Sequence, residues 1–160
     1  MEVEIREADL ANTSDADAVA RLIDEYARLP IGQGAPLDEA VVREIVPGLR
    51  RHAGSFVFLA WLDGRAVGVA VCFTGFSTFT AKPLVNIHDL AVSQDCQGRG
   101  VGRSLIEAVE AKALSLGCGK LTLEVREDND GAQRLYRRLG FGSREGGAAT
   151  FFLSKRLATP

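Results

Sequence analysis

Histidine, cysteine and lysine are scarce in this chain of 160 residues, and each shortage excludes something. The two histidines, His52 and His88, and the three cysteines, Cys72, Cys96 and Cys118, are widely separated. They make no CxxC pair and no disulfide framework. A zinc site from His and Cys is hard to assemble, so no metal is expected, and a reducing cytoplasm fits best. Lysine stands only at positions 82, 112, 120 and 155, and 19 basic against 21 acidic residues leave a net charge of −2. That balance gives no reason to expect a nucleic-acid partner. No apolar run is long: Phe56 to Leu62 is the longest, far short of the roughly 20 residues of a membrane helix. The start, MEVEIREADL, lacks a basic n-region, an apolar h-region and a cleavage site, so neither a signal peptide nor a membrane partner is expected.

What is present is ordinary for a folded domain: 46 % apolar and 25 % charged residues. The length suits one core, and a single domain over 1–160 is expected. Val3 to Ile5 reads as a short strand. Asn12 to Asp15 offer helix caps, and Ala18, Val19, Leu22, Ile23 and Tyr26 follow at helical spacing up to about Leu29. A second helix is expected from Asp38 to Arg51, with Val41, Val42, Ile45 and Leu49 on one side and a kink or break at Pro47. Phe56 to Leu62 and Ala66 to Phe73 read as a hairpin about Asp63-Gly64. Thr74 to Lys82 fits either an extension of that strand or a loop, and Pro83 to Val92 reads as the next strand. A helix follows to Leu116, stopped by Gly117. Leu121 to Val125 reads as a strand, Asp128 to Asp130 as caps for a helix over Ala132 to Leu139, and Phe141 to Leu153 as a final hairpin turning at Gly146-Gly147. The order gives an α/β (α+β) layered domain: a mixed, mostly antiparallel sheet of about seven strands with about four helices on its faces.

Between a strand and a helix lies Gln97-Gly98-Arg99-Gly100-Val101-Gly102. Glycines there let backbone N–H groups approach an anion, and a helix N-terminus adds unpaired donors and a positive dipole end. Arg99 and Arg103 add charge, so a diphosphate is the natural guest. A dinucleotide fingerprint beginning at Gly98 needs glycine at 103, where Arg103 stands, and no Gly-Lys-Ser/Thr of a P-loop is near. Spacing alone leaves a plain tight turn equally open.

Gln97 to Gly102, following Leu90-Ala91-Val92, resembles the Q/R-x-x-G-x-G/A signature of the GNAT acyltransferase superfamily. A second block is similar to that family too: Leu121-Thr-Leu-Glu-Val, then Asn129-x-x-Ala132-x-x-Leu135-Tyr136-x-x-x-Gly140-Phe141. The resemblance covers roughly residues 3 to 156. It implies a single-domain GNAT fold splayed at the centre of its sheet, and an acetyl-CoA-dependent N-acetyltransferase. By that resemblance Gly98, Arg99, Gly100, Val101, Gly102, Arg103 and Ser104 hold the CoA pyrophosphate, and Gln97 is a further cofactor-binding residue. The Leu90–Ala91–Val92 backbone pairs with the pantetheine arm, an N–H there polarises the thioester carbonyl, and Asn129 bonds near the pantetheine. The strand ending at Val92 and the strand from Leu121 part to admit acetyl-CoA as co-substrate.

Tyr136 stands where that family keeps a general acid, able to protonate a departing thiolate; by spacing alone it is a packing aromatic. His88 stands where arylalkylamine acetyltransferases keep a base, and a histidine can take a proton near neutral pH; it is equally readable as a structural residue. The Ile87-His88-Asp89-Leu90-Ala91-Val92 strand and Gly68-Val-Ala-Val-Cys-Phe73-Thr74 with Phe76, Phe79 and Lys82 partly resemble diamine (spermidine/spermine-type) acetyltransferases. Asp89, on the opposite side of the strand from His88 by alternation, either holds a cationic substrate or caps backbone N–H groups. Glu124 is a further acid for substrate or a solvated strand residue. Asn86 stands where some members place a glutamate base, which an amide cannot replace. Phe73, Phe76 and Phe79 either line an acceptor pocket or pack. Cys96 before the turn has no covalent role in direct attack by an amine. The expected partner is a small-molecule amine, polyamine-like acceptors included, with a homodimer among the assemblies allowed. The alternatives are a protein or peptide N-acetyltransferase and a non-catalytic acyl-CoA-binding module.

Overall fold

The computed structural model describes residues 3–142 and 151–158. The chain divides into two compact units, residues 1–123 and 124–160. In the first unit the order is β1 (Glu4–Glu7), α1 (Thr13–Arg28), α2 (Glu39–Arg51), β2 (Ser55–Leu62), β3 (Arg65–Ser77), β4 (Lys82–Val92), a 3₁₀ turn (Gln94–Cys96), α3 (Val101–Ser115) and β5 (Leu121–Leu123). The second unit contains α4 (Asp130–Arg138).

The sheet runs β1-β2-β3-β4-β5. Its first four strands are antiparallel neighbours, and β5 joins β4 in parallel. This is the mixed, mostly antiparallel layered fold that the sequence predicts, with five strands among the described residues rather than about seven. The two remaining strands were expected over 141–153. Residues 143–150, with the Gly146-Gly147 turn, lie outside the described residues, and Phe141, Phe151, Phe152 and Leu153 are not in a strand.

Asn12 caps α1, its side chain accepting from the N–H groups of Ser14 and Asp15. Val19 and Leu22 of α1 bury against Val57 and Leu59 of β2 and Val69 and Val71 of β3. α2 runs on through Pro47, so the expected break does not form. Ile45 and Leu49 pack against the same cluster on either side of the proline, and Val46 is buried within it. That packing offsets the hydrogen bond Pro47 cannot donate. Val41, expected on the packed side, is exposed. Thr74 to Ser77 extends β3, which leaves Phe76 exposed and Phe79 at the hairpin tip 99 % exposed.

α3 covers the other face. A Cβ on Gly68 would lie 3.0 Å from Leu105 Cδ1 and 3.1 Å from Val101 Cγ1. The missing side chain therefore lets the start of α3 settle on β3, directly beside Val92, which pairs with Gly68. Gly68→Val should overpack this contact and lower stability by about 1–3 kcal/mol. A thermal melt checks it, and an unchanged melting temperature would mean that α3 does not depend on this contact.

Candidate functional site

β4 carries the site, and one irregularity decides how. Val71 pairs with Asp89 but the next residue of β3, Cys72, pairs with Ile87. His88 is the extra residue of a β-bulge. Simple alternation put His88 and Asp89 on opposite faces; the bulge overturns that. The His88 ring meets Phe73 edge-on at 5.4 Å, and Phe73 packs on the face covered by α1 and α2. Asp89 is opposite Val71, a core residue of that same face.

Asp89 is half-buried; its backbone pairs with Val71, and its carboxylate accepts no hydrogen bond from the described residues. The expected capping of backbone N–H groups therefore does not occur. Burial raises its carboxyl above the usual carboxylate range, with the neighbouring His88 working against that rise. Burial also pushes the Cys72 thiol up to about 12, helped by the charge of Asp89. Cys72 is an inert core residue.

The outer edge of β4 is open beyond the bulge. Ser93 N–H donates to Val67 O at 2.8 Å. By the antiparallel alternation, the N–H and C=O groups of Leu90 and Val92 therefore point away from β3. On that outer side β5 reaches only Val85, Asn86 and Ile87. Asn86 ties the pair just before the last: its Nδ2 donates to Thr122 Oγ1 at 3.0 Å and to Thr122 O at 3.4 Å. Its amide acts as a strand tie, a role the sequence did not reveal. Past it, residues 88–92 have no ladder partner on this edge among the described residues. Gln97 Nε2 donates to Val92 O at 3.2 Å, folding the following loop back onto this edge.

The loop is pinned before it turns. Arg65 pairs with Asp95 and lies 3.7 Å from the sulfur of the buried Cys96. Gly98 and Gly100 then take φ of +75° and +85°, a region that side chains rarely adopt. A Cβ at either would meet nothing within 4 Å, so the turn faces open space. Gly100 caps α3 without a side-chain hydrogen bond, and the first N–H groups of a helix have no partner inside it. The Val101 side chain is buried in the core, so only its backbone belongs to the turn. Arg103 pairs with Glu107 at 2.7 Å, Arg99 is exposed, and Ser104 N–H donates to Gly100 O. An open edge of amides leading to uncapped donors fits an amide-rich arm that ends in a diphosphate. Beside the end of β4, a cavity of about 310 Å³ opens under α1, lined by Leu22, Tyr26 and Leu29 and by Ala91, Val92 and Ser93.

The remaining candidates lie in the second unit. Asn129 caps α4, its Oδ1 accepting from Ala132 N–H at 3.2 Å. Tyr136 is buried, with its ring 5.8 Å from that of Phe141. Glu124 is exposed and lies just past the end of β5, as a solvated residue would. Two contacts have no signature in the sequence: the Asn86 tie, and the meeting of His52 with Phe73 at 4.8 Å.

The comparisons with known proteins agree with this architecture. N-alpha-acetyltransferase MAK3 of Arabidopsis thaliana is 36 % identical over 84 residues, 52 % of this chain and 43 % of that protein. An uncharacterized N-acetyltransferase of Methanocaldococcus jannaschii is 33 % identical over 98 residues, 61 % of this chain and 43 % of that protein. The chain thus spans under half the length of these curated relatives. Among solved structures, an aminoglycoside acetyltransferase from an uncultured soil metagenomic sample superposes with a TM-score of 0.75 at 19 % identity, covering 96 % of this chain and 97 % of that one. The ribosomal-protein-alanine N-acetyltransferase of Brucella melitensis gives 0.72 at 20 %, covering 94 % and 100 %. The model of the acetyltransferase (GNAT) family matches residues 18–141, most of the sheet, the glycine turn and α4, and the chain belongs to that family.

Proposed function

We propose that this chain transfers the acetyl group of acetyl-CoA to a primary amine, by direct attack of the amine in a ternary complex. The observation that carries the reading is the outer edge of β4 at Leu90 and Val92, which has no strand partner among the described residues and runs into a glycine turn at the uncapped start of α3. Family membership supports the choice of acyl donor.

When bound, acetyl-CoA supplies an activated acetyl thioester. Leu90 and Val92 offer N–H and C=O groups to its amide-bearing arm, and one N–H polarises the acyl carbonyl. Backbone donors of the turn from Gly98 to Ser104 hold the pyrophosphate. Asp89 attracts the acceptor as its ammonium, which supplies the opposite charge that this half-buried carboxylate lacks. His88, on the same face through the bulge, takes the ammonium proton directly or through a water. The free amine attacks, the C–N bond forms, the C–S bond breaks, and Tyr136 protonates the sulfur. The parts of Tyr136, Asn129 and Glu124 rest on the family resemblance alone. Small primary amines are the leading acceptors, polyamine-like ones included. The 36 % identity to an N-alpha-acetyltransferase favours a protein N-terminus as the second reading. A turnover assay that reads free thiol across amines, polyamines, amino acids and peptides separates the two. Turnover with none of them would leave a non-catalytic acyl-CoA-binding module.

Variants at three positions test the parts. Gly100→Asp places a carboxylate against the diphosphate and should abolish CoA binding in calorimetry. Gly100→Ala shares the backbone strain without the charge and should retain part of it; equal binding by all three proteins would remove the turn from the site. Tyr136→Phe should lower kcat by roughly 10²-fold with little change in acetyl-CoA affinity. His88→Gln should flatten the acidic limb of the kcat/KM pH profile and cost roughly 10²–10⁴-fold. A preserved acidic limb would end its role as base.

A further inference from the structure

Both histidines of the chain meet on one phenylalanine. His52 follows α2 as its C-terminal cap, and His88 is the bulged residue of β4. Their rings approach Phe73 edge-on, at 4.8 Å and 65° and at 5.4 Å and 76°. Phe73 is half-buried while both imidazoles are exposed. Neither imidazole makes a hydrogen bond with the described residues.

His52 is nevertheless held firmly. Its N–H donates to Gly48 O and Leu49 O, and its C=O accepts from Ser55 N–H at 3.2 Å. Ser55 Oγ donates to Leu49 O at 2.7 Å, and Thr74 N–H donates to Gly54 O at 2.9 Å, stitching the loop after α2 to β3. An exposed ring on so well-fixed a backbone, engaged only with another ring, is a preformed surface. The surface starts at His88 and leads along Phe73 towards the end of α2. Arg50 and Arg51 close that helix; Arg51 pairs with Glu44 at 3.1 Å, so Arg50 carries the like charge that a second ammonium travelling this way meets.

We infer that His52 is a specificity-determining residue for the acceptor: with Phe73 and His88 it forms an aromatic wall that receives an apolar, ring-sized tail next to the reacting nitrogen, in preference to a second ammonium. This rests on the proposed amine acetylation and narrows its substrate class. Ring–ring contact and apolar burial supply the selectivity.

The probes are 2-phenylethylamine, butylamine and 1,4-diaminobutane with acetyl-CoA. The wild type should favour phenylethylamine in kcat/KM. His52→Ala should raise the KM for phenylethylamine by about 3- to 10-fold. Its kcat, its KM for acetyl-CoA and its melting temperature should stay near wild type, and His52→Phe should restore the KM. A wild type that prefers diaminobutane, or a His52→Ala variant with an unchanged phenylethylamine KM, overturns the inference. A wild type that acetylates none of the three overturns the acetylation of small amines instead. The wall is then read without turnover: with only two histidines, imidazole NMR resolves each, and phenylethylamine added with CoA should shift both. Unmoved His52 resonances overturn the inference there too.

Discussion

Backbone amides must find partners, and among the described residues the last five of β4 have a strand partner on one side only. β3 satisfies that side; on the other, β5 stops opposite Ile87. An edge of unpaired N–H and C=O groups is a standing template for another extended chain. Here it is short, lies inside the strand order rather than at its rim, and ends at a turn whose donors are also uncapped. The proposed chemistry follows from that one-sided ladder, because it gives a place where an amide-bearing thioester can lie as an added strand.

Three features keep the opening where it is. Asn86 ties β4 to Thr122 and so fixes the point where the strands part. The bulge at His88 turns the His88 and Asp89 side chains onto one face immediately past that point. The bare α-carbon of Gly68 brings α3 down beside Val92, so the glycine turn must begin where the edge ends. The Arg65–Asp95 pair and the Gln97 bond to Val92 O hold the connecting loop against the strand. Gln97 occupies a carbonyl that an incoming amide needs, so in the proposed complex its side chain gives way.

The sequence was legible wherever a feature is local. Asn12 announces its helix, Asp63-Gly64 its hairpin, and the glycine turn its helix start, since caps and turns depend on a few adjacent residues. The family was legible for the same reason: its two blocks are short runs. What failed depends on pairs of distant segments. The bulge is a difference in count between β3 and β4, and nothing in Ile87-His88-Asp89 alone shows it. Of the kink or break that Pro47 suggests, the break does not form, because packing of Ile45 and Leu49 carries α2 through it. Phe76 and Phe79 read as packing or pocket residues, but the hairpin projects beyond β2 and leaves them in solvent. His52 and His88 are far apart in the chain and meet only through Phe73.

Amide hydrogen exchange at Leu90 and Val92, with and without CoA, measures the central feature directly. If the outer edge of β4 receives the amide-bearing arm, these two N–H groups exchange freely in the unliganded protein and become protected when CoA is added. Asp89 and Ala91, already bonded to β3, should change little. Equal exchange at Leu90 and Val92 in both states, with CoA demonstrably bound, would contradict the account and place the arm elsewhere.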